Sequence, residues 1–243
     1  MSTKTWIIFI VAVVGLLGGL VVYSQASTPS IDISSIDANA IQTASEQNGN
    51  IAEHTYGTDD GKVTLIEYGD FQCPYCGQAY PGLKSVLEDY SEVVTFAFRN
   101  FPITSIHPNA RAAAAAAEAA GLQGNDAYWN MHDLIYNNQS QWESLGGTER
   151  SKQFANYAER IGIDVDAYTK ALEEKNDDIN QKIAFDMALA TEQDVDSTPT
   201  LFLNGEKLDN SVTQDLQQGD GDTLRGLLDD ALADAGIELP TNE

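Results

Sequence analysis

The sequence predicts an α/β fold in which a sheet is interrupted by an all-helical insertion. Two runs of β-branched and apolar residues, 62–68 and 92–98, flank a helix predicted over residues 74–90. A strand, a helix and a second strand in this order form the unit of a parallel sheet. Strand character returns only at residues 198–208, where an Asn-Gly pair predicts a hairpin turn.

The segment between the second and third strand runs is helical in pattern throughout. Apolar residues recur there at helical spacing, and several of the helices begin or end at typical capping residues. These predicted helices cover residues 109–120, 126–136, 148–161, 164–175 and the stretch around 179–187. A further amphipathic helix, in "GDTLRGLLDDALADAG", follows the hairpin. We expect one domain over residues 56–243, with the helical insertion at about residues 105–192.

An uncharged apolar run near the N-terminus predicts a membrane anchor within residues 1–23. The run "WIIFIVAVVGLLGGLVVY", residues 6–23, has the length that a helix needs to cross a bilayer. Lys4 precedes it, so the positive-inside tendency places the rest of the chain outside the cytoplasm. A cleaved signal peptide is the alternative, because small residues at Ser24 and Ala26 follow the run. The expected location is the cell membrane with a single span, or outside the cell if the segment is cleaved.

The next segment, residues 24–55, has the composition of a flexible polar linker. It is rich in Ser, Thr, Asn, Gln and Ala and contains no aromatic residue. The only regular structure expected in it is a short helix near residues 38–46. This linker would connect the membrane anchor to the folded domain.

The charge balance excludes nucleic acid as an expected partner. The chain has 37 acidic and 13 basic residues and a net charge of −24. Nucleic-acid binding depends on a basic surface, which this composition does not provide. The acidic excess is typical of a surface selected for solubility.

The two cysteines, Cys73 and Cys76, are separated by only two residues, Pro74 and Tyr75. A disulfide across so short a loop removes little entropy from the unfolded chain, so a chemical role explains the pair better than a structural one. Pro74 suits the first position of a helix, which places Cys73 at or next to the N-cap, where unpaired N–H groups lower a thiol pKa. Cys76 lies one turn deeper and should be the less exposed thiol. We therefore expect Cys73 to be the nucleophile and Cys76 the resolving thiol of disulfide exchange.

Three other interpretations of the pair remain open. A zinc site needs about four ligands, and the three histidines, His54, His107 and His132, are scattered along the chain. Two thiolates could bind Cu(I). The pair could also be inert. A C-x-x-C motif at a strand–helix junction favours redox chemistry over all three.

Three separated motifs resemble the DsbA-like family of thiol–disulfide oxidoreductases. They are "LIEYGDFQCPYCGQ", "FRNFPI…HPNARAAAAAAEAAGLQG…YWNMHDLIY" and "DVDSTPTLFLNG", in this order over about residues 56–208. The resemblance implies a thioredoxin fold with a helical insertion, and a cis-proline loop at Thr198-Pro199 beside the cysteines. It also implies that Glu67 is the family's buried acid behind the pair. From the strand pattern alone, Glu67 could instead be a solvated residue at the strand end.

The resulting functional expectation is an extracytoplasmic thiol–disulfide oxidoreductase, acting as a dithiol oxidase on exported proteins. Pro74 and Tyr75 would tune the pair, and Thr198 with Pro199 would form the wall along which an extended client lies. No dissociable cofactor and no metal are expected. The expected partners are reduced or unfolded exported clients and a membrane redox protein that restores the disulfide. The alternatives are a reductase or isomerase of the same fold and, from another class, a metal-binding or chaperone module.

Overall fold

The computed structural model describes Trp6, Ile10, Val13 and residues 31–59 and 62–239. The chain divides into two compact units, Met1–Asp32 and Ile33–Glu243, and every strand and helix given below belongs to the second. The predicted membrane span lies outside the described residues except for those first three, which are helical and exposed. Within the described parts of the chain, no helix combines the length and the apolar character that a membrane span requires.

The strands of the described region form one mixed five-stranded sheet in the order β1-β3-β2-β4-β5. The central pair, β2 and β3, is parallel, and every other pairing is antiparallel. Both central strands are almost wholly buried, which explains their continuous apolar sequences. The strands are β1 (Thr55–Gly57), β2 (Val63–Gly69), β3 (Val94–Asn100), β4 (Thr200–Leu203) and β5 (Glu206–Lys207). The predicted α/β fold is therefore confirmed.

Helices cover the sheet and form all of the regular structure between β3 and β4. They are α1 (Pro74–Asp89), α2 (Ala110–Gly121), α3 (Asn125–Asn137), α4 (Gln139–Trp142), α5 (Gly147–Arg160), α6 (Val165–Glu174), α7 (Asn176–Glu192), α8 (Asn210–Gln217) and α9 (Asp222–Asp234). Four of the helices predicted between β3 and β4, namely α2, α3, α5 and α6, are found within one or two residues of their expected ends. Helix α7 extends beyond the predicted stretch around 179–187, and the sequence does not predict the short helix α4.

Helix α8 is absent from the sequence prediction, and its burial depends on a close approach to α1. Val212 and Leu216 are buried in α8, but the rest of its sequence is largely polar. A Cβ at Gly82 of α1 would lie 2.7 Å from the backbone oxygen of Leu216. Glycine at this position therefore permits the two helices to pack, a long-range condition that a local pattern does not reveal.

Part of the predicted linker packs against the domain instead of extending away from it. The side chain of Arg99, on β3, is fully buried, and its guanidinium donates hydrogen bonds to the carboxylate of Glu53 and to the backbone oxygens of Ala38 and Ala40. The Arg99 guanidinium also donates to the Tyr68 hydroxyl at 2.8 Å. Because a buried cation needs its donors satisfied, these contacts hold the segment in place. The expectation of a flexible linker is wrong for this stretch.

The short helix expected near residues 38–46 is also not found. The described segment forms turns there, followed by a single 3-10 turn, Glu46–Asn48. The Asn48 side chain accepts a hydrogen bond from the backbone N–H of Ser45 at 2.7 Å and is buried. Polar side chains that bond their own backbone compete with helix formation, which explains the difference.

A second buried polar network joins the helical insertion to the sheet. Asp186 of α7 accepts hydrogen bonds from the Lys182 ammonium at 2.6 Å and from the side-chain amide of Asn100 at 3.0 Å. The same amide donates to Glu118 of α2 at 2.7 Å. Asn100 is the last residue of β3, so this network places α2 and α7 at the end of the sheet where the cysteines lie.

We expect Glu53→Gln to lower the free energy of unfolding by about 3–5 kcal/mol, because it leaves the buried Arg99 charge without its partner. Urea unfolding at pH 7 measures the change. Glu174→Gln is the matched control, since the Glu174–Lys170 pair has about two-thirds of each side chain exposed and should contribute less than about 1 kcal/mol. Equal stabilities of the two variants would contradict a structural role for the buried pair.

Candidate active site

The cysteine pair lies at the junction between β2 and α1. Cys73 is the N-cap of α1, with extended backbone angles, and Pro74 follows in the first turn. The backbone N–H of Cys73 donates to the backbone oxygen of Asp70 at 3.0 Å, which closes the turn after β2. The local sequence explains this geometry, because proline is pre-organised for the first helical turn and needs no N–H acceptor there.

Both cysteines are free thiols, and both are buried. Cys73 is 4% exposed and Cys76 is 1% exposed, so the expected difference in exposure is small. Tyr75 between them is 58% exposed. The asymmetry of the pair is therefore chiefly electrostatic, and a client must reach the Cys73 sulfur past its neighbours.

The two thiols have opposite pKa shifts. A hydrogen bond from the Cys76 thiol is the largest factor that lowers the pKa of Cys73 to about 6, while burial opposes it. The Thr198 side chain and the backbone N–H groups of Cys76 and Tyr75 add to the stabilisation of the thiolate. Burial, followed by the hydrogen bond to Cys73 and the Glu67 charge, raises the pKa of Cys76 well above its usual range. At neutral pH the dithiol therefore carries its charge on Cys73.

Glu67 lies on β2 and is buried, and its ionisation is coupled to that of Cys73. Burial raises the pKa of Glu67 to about 8, and the charge on Cys73 contributes to the same shift. At neutral pH its carboxyl is therefore mostly protonated. Loss of the Cys73 charge, as in a mixed disulfide, would remove one of the two causes and lower the Glu67 pKa, so that a larger fraction of Glu67 is ionised and available to accept a proton.

The Thr198-Pro199 peptide bond is cis, as the family resemblance implies. The antiparallel pairing of β4 with β2 places Thr200 opposite Tyr68, so the loop before β4 lies beside the cysteine turn. The Cys73 thiol donates to the Thr198 backbone oxygen at 3.5 Å. Among the described residues the buried Thr198 hydroxyl has no partner in this dithiol form, so it can donate to the Cys73 sulfur once the thiol has lost its proton.

Two side chains that sequence analysis did not select hold the cysteine turn from outside it. The buried Asp70 carboxylate accepts hydrogen bonds from the backbone N–H groups of Gln72 and Ile103, at 2.7 and 2.8 Å, and lies 2.8 Å from the His107 ring nitrogen. Gln139 of α4 donates to the backbone oxygens of the turn, at 2.8 Å to Phe71 and 2.9 Å to Cys73. Asp70 is recognisable as a turn residue beside the motif, but Gln139 has no local signal.

Tyr136 of α3 also reaches the pair from the insertion. Its buried hydroxyl has no hydrogen-bond partner among the described residues. Burial raises the pKa of Tyr136 well above its usual range, and the Cys76 charge is the next cause. Its ring packs against Phe71 with centroids 4.9 Å apart. The insertion therefore encloses the inner side of the cysteine pair.

Two of the histidines considered as zinc ligands, His132 and His54, instead pack within the fold. His132 is buried among aromatic rings, where burial lowers its pKa, and His54 stacks on Tyr128 with centroids 4.1 Å apart. In the described part of the chain, no group of three or more His, Cys, Asp or Glu side chains is arranged to hold a metal ion.

A buried thiolate at a helix start, with a thiol of raised pKa one turn away and a cis-proline loop against it, is built for thiol–disulfide exchange. The fold and the site together define an oxidoreductase of the thioredoxin class.

Comparisons with known proteins agree with this class. The family model described as Thioredoxin matches residues 49–219, which is more than half of the chain. Two solved structures share the fold. The thiol-disulfide exchange protein alpha-DsbA2 from Wolbachia pipientis has a TM-score of 0.62 and 20% identity and covers 76% of this chain and 90% of its own. Oxidised BdbD from Bacillus subtilis has a TM-score of 0.62 and 21% identity, with coverages of 80% and 98%. The chain belongs to the thioredoxin family that this model describes, and it shares the fold of the two solved structures.

A relative with higher sequence identity is a much longer protein, and only part of it matches this chain. A Na(+)/H(+) antiporter NhaA 1 of Salinispora arenicola is 40% identical over 155 residues. The match covers 64% of this chain but only 22% of that protein. The chain therefore spans less than a quarter of this relative's length.

We expect alkylation of the reduced protein by iodoacetamide to modify Cys73 first, with a rate that reaches half its maximum near pH 6. Cys76→Ala should move this midpoint upward toward the ~8.5 of a free cysteine, because it removes the donor with the largest effect. Cys76→Ser keeps a hydroxyl donor and should shift the midpoint less. Mass spectrometry of quenched samples measures the rate, and a wild-type midpoint above about pH 8 would contradict the assignment.

We expect Glu67→Gln to slow the attack of Cys76 on a Cys73–glutathione mixed disulfide by tenfold or more, because acid–base catalysis by a positioned group typically contributes about 10²–10⁴-fold. The wild-type rate should rise with pH as Glu67 becomes ionised, with a midpoint below 8 because the mixed disulfide lacks the Cys73 charge, and the variant should lose this rise. Stopped-flow Trp fluorescence after mixing with oxidised glutathione measures both steps. Glu88→Gln, at a surface position of helix α1, which also carries Cys76, is the control. Identical pH profiles would remove Glu67 from proton transfer.

Proposed function

We propose that this chain is an extracytoplasmic dithiol oxidase that introduces disulfides into exported proteins through Cys73 and Cys76. The observation that supports the direction most strongly is the lowered pKa of Cys73. A stabilised thiolate stabilises the reduced pair, and a pair whose reduced form is stable is a strong electron acceptor. The oxidised pair would therefore tend to take electrons from client thiols.

The lowered pKa also suggests how oxidising the pair is. A Cys73 pKa of about 6 lies between the ~3.5 of DsbA and the ~7 of thioredoxin. The reduction potential should then lie between about −120 mV and about −270 mV. Tyr75 adds no positive charge near the thiolate at neutral pH, which is a reason to expect a weaker oxidant than DsbA.

The proposed reaction with a client proceeds in two exchanges. A client thiolate attacks the Cys73 sulfur of the disulfide, and Cys76 leaves as a thiolate that takes the proton of Glu67. A second client thiolate then attacks the client sulfur of the mixed disulfide and releases the Cys73 thiolate. The client loses two electrons and gains a disulfide, and the pair becomes the dithiol.

Regeneration uses the same groups in the opposite sense. The Cys73 thiolate attacks a disulfide of a membrane redox partner. Once the Cys73 sulfur is bonded to the partner and uncharged, Glu67 ionises more readily and its carboxylate can accept the proton of Cys76. The Cys76 thiolate then attacks the Cys73 sulfur and expels the partner as a thiolate. The extended client would lie along the loop at Thr198 and Pro199. No dissociable cofactor takes part in this cycle.

We further propose that the domain is held at the outer face of the cell membrane by residues 6–23. The support is the uncharged apolar run in the sequence and the membrane-associated chemistry expected of a regenerating partner. Mass spectrometry of the mature N-terminus in membrane and soluble fractions tests this proposal. A chain that begins at Ser27 would replace the anchor by a cleaved signal peptide.

The central test is the equilibrium between the pair and a glutathione buffer, read by Trp fluorescence. The expected potential lies between about −120 and −270 mV, and Tyr75→His should make it less negative, because a cationic ring stabilises the Cys73 thiolate. The oxidised protein should also form disulfides in a reduced, unfolded client, and Cys73→Ser should abolish this reaction.

A potential at or below that of thioredoxin would overturn the oxidase proposal and favour the reductase or isomerase alternative. Thiol titration with and without zinc and copper tests the alternative that the chain is a metal-binding module. Protection of both thiols by either metal, together with no exchange activity, would favour a metal-binding module. Chaperone activity that survives Cys73→Ser would favour a non-redox role.

A further inference from the structure

The helical insertion contains a pocket that the disulfide chemistry does not use. It has a volume of about 410 Å³ and is lined by residues of α2, α5, α6 and α7 and by Pro108. None of its lining residues belongs to the cysteine turn or to the cis-proline loop. A pocket of this size accommodates a small organic molecule or one or two residues of a peptide.

Two arginines without a carboxylate partner line this pocket. Among the described residues, Arg111 and Arg150 form no ion pair, although the chain has 37 acidic side chains. The nearest polar contacts of Arg111 are both with Asn180, at 2.9 Å from Nε to the side-chain oxygen and 3.3 Å from Nη2 to the backbone oxygen. Arg150 donates only to the side-chain oxygen of Asn109.

Most of the hydrogen-bonding capacity of these arginines is therefore unused. A guanidinium has five N–H donors, and Arg150 uses one of them within the described structure. Its Nε is buried and has no partner. Burial lowers the pKa of Arg111 below its usual range, as expected where no anion compensates the charge. Both arginines are half-buried, and a partly desolvated charge without a counter-ion is unfavourable, so a bound anion would stabilise this arrangement.

The rest of the lining indicates which anion fits. Tyr168 is buried in the lining, and its hydroxyl has no hydrogen-bond partner in the described part of the chain. The remaining walls are mostly apolar, from the alanines of α2 together with Phe154 and Leu172. No lining residue is acidic. The pocket is thus lined by cationic and hydroxyl donors together with apolar side chains. This lining suits an anion with an attached apolar group better than a bare inorganic ion.

We propose that this pocket binds an organic carboxylate, held by the guanidinium groups of Arg111 and Arg150 and with its apolar part against Phe154 and Leu172. Arginine binds carboxylates through parallel N–H donors, and the unused donors make this possible here. The carboxylate can come from a free small acid or from a peptide, since the chemistry recognised is the same. This site is independent of the direction of the redox reaction.

The test is isothermal titration calorimetry of the full-length protein with 3-phenylpropionate and with its neutral amide, 3-phenylpropionamide. The acid should bind at least about tenfold more tightly than the amide, because only the acid accepts charge-assisted hydrogen bonds. Acetyl-Ala-Phe with a free C-terminal carboxylate, compared with its C-terminal amide, tests the peptide source. Whichever carboxylate binds more tightly identifies the source.

Variants locate the binding. Arg111→Gln and Arg150→Gln should each weaken binding of the acid by about tenfold. Arg160→Gln is the matched control, since Arg160 is exposed on the same helix α5, packs over the Tyr157 ring, and lies outside the pocket lining. It should leave the affinity unchanged. Ala115→Leu fills part of the pocket without changing the charge and should also abolish binding, so the proposal stays testable if an arginine variant fails to fold.

Three results would overturn the proposal. They are equal affinity for the acid and its amide, equal affinity of the Arg150→Gln and Arg160→Gln variants, or full displacement of the acid by sulfate at equal concentration. The last result would show a site for bare anions without a contribution from the apolar walls.

Discussion

The site depends on one constraint, which is that a negative charge must be stable on a buried sulfur. Cys73 is almost inaccessible, so water cannot solvate its thiolate, and donors from the protein must replace the water. The Cys76 thiol, the start of α1 and the Thr198 side chain provide them. Each donor comes from a different part of the chain. The position of β4 against β2, and of α1 after β2, therefore decides the chemistry of the pair.

The same charge couples the pair to Glu67. A thiolate on Cys73 disfavours ionisation of the buried carboxyl, and an ionised carboxyl disfavours ionisation of Cys76. Only one of these groups can easily be negative at a time. This mutual exclusion gives the exchange an order, because the proton of Cys76 can leave most readily when Cys73 is bonded to another sulfur.

The cationic side chains within the folded domain include two that are fully buried and two that are half-buried, and the two pairs differ in their partners. Arg99 and Lys182 are compensated by carboxylates and join the N-terminal segment and the helical insertion to the sheet. The half-buried Arg111 and Arg150 have no carboxylate partner among the described residues, although acidic residues outnumber basic ones by 37 to 13. The first two hold the fold together by satisfied charge. The second two leave donors available at a pocket, which is the physical basis for assigning a ligand to it.

The sequence by itself determined the α/β class, the helical insertion and the position of Cys73 at a helix start, because these follow from local periodicity and from Pro74. It also marked Glu67 as an oddity within an apolar strand. Only the tertiary structure decided that Cys73 is as inaccessible as Cys76, that Gln139 and Tyr136 enclose the pair, and that residues before β1 pack on Arg99. Each of these depends on contacts between residues far apart in the chain, and such contacts produce no local periodic pattern in the sequence.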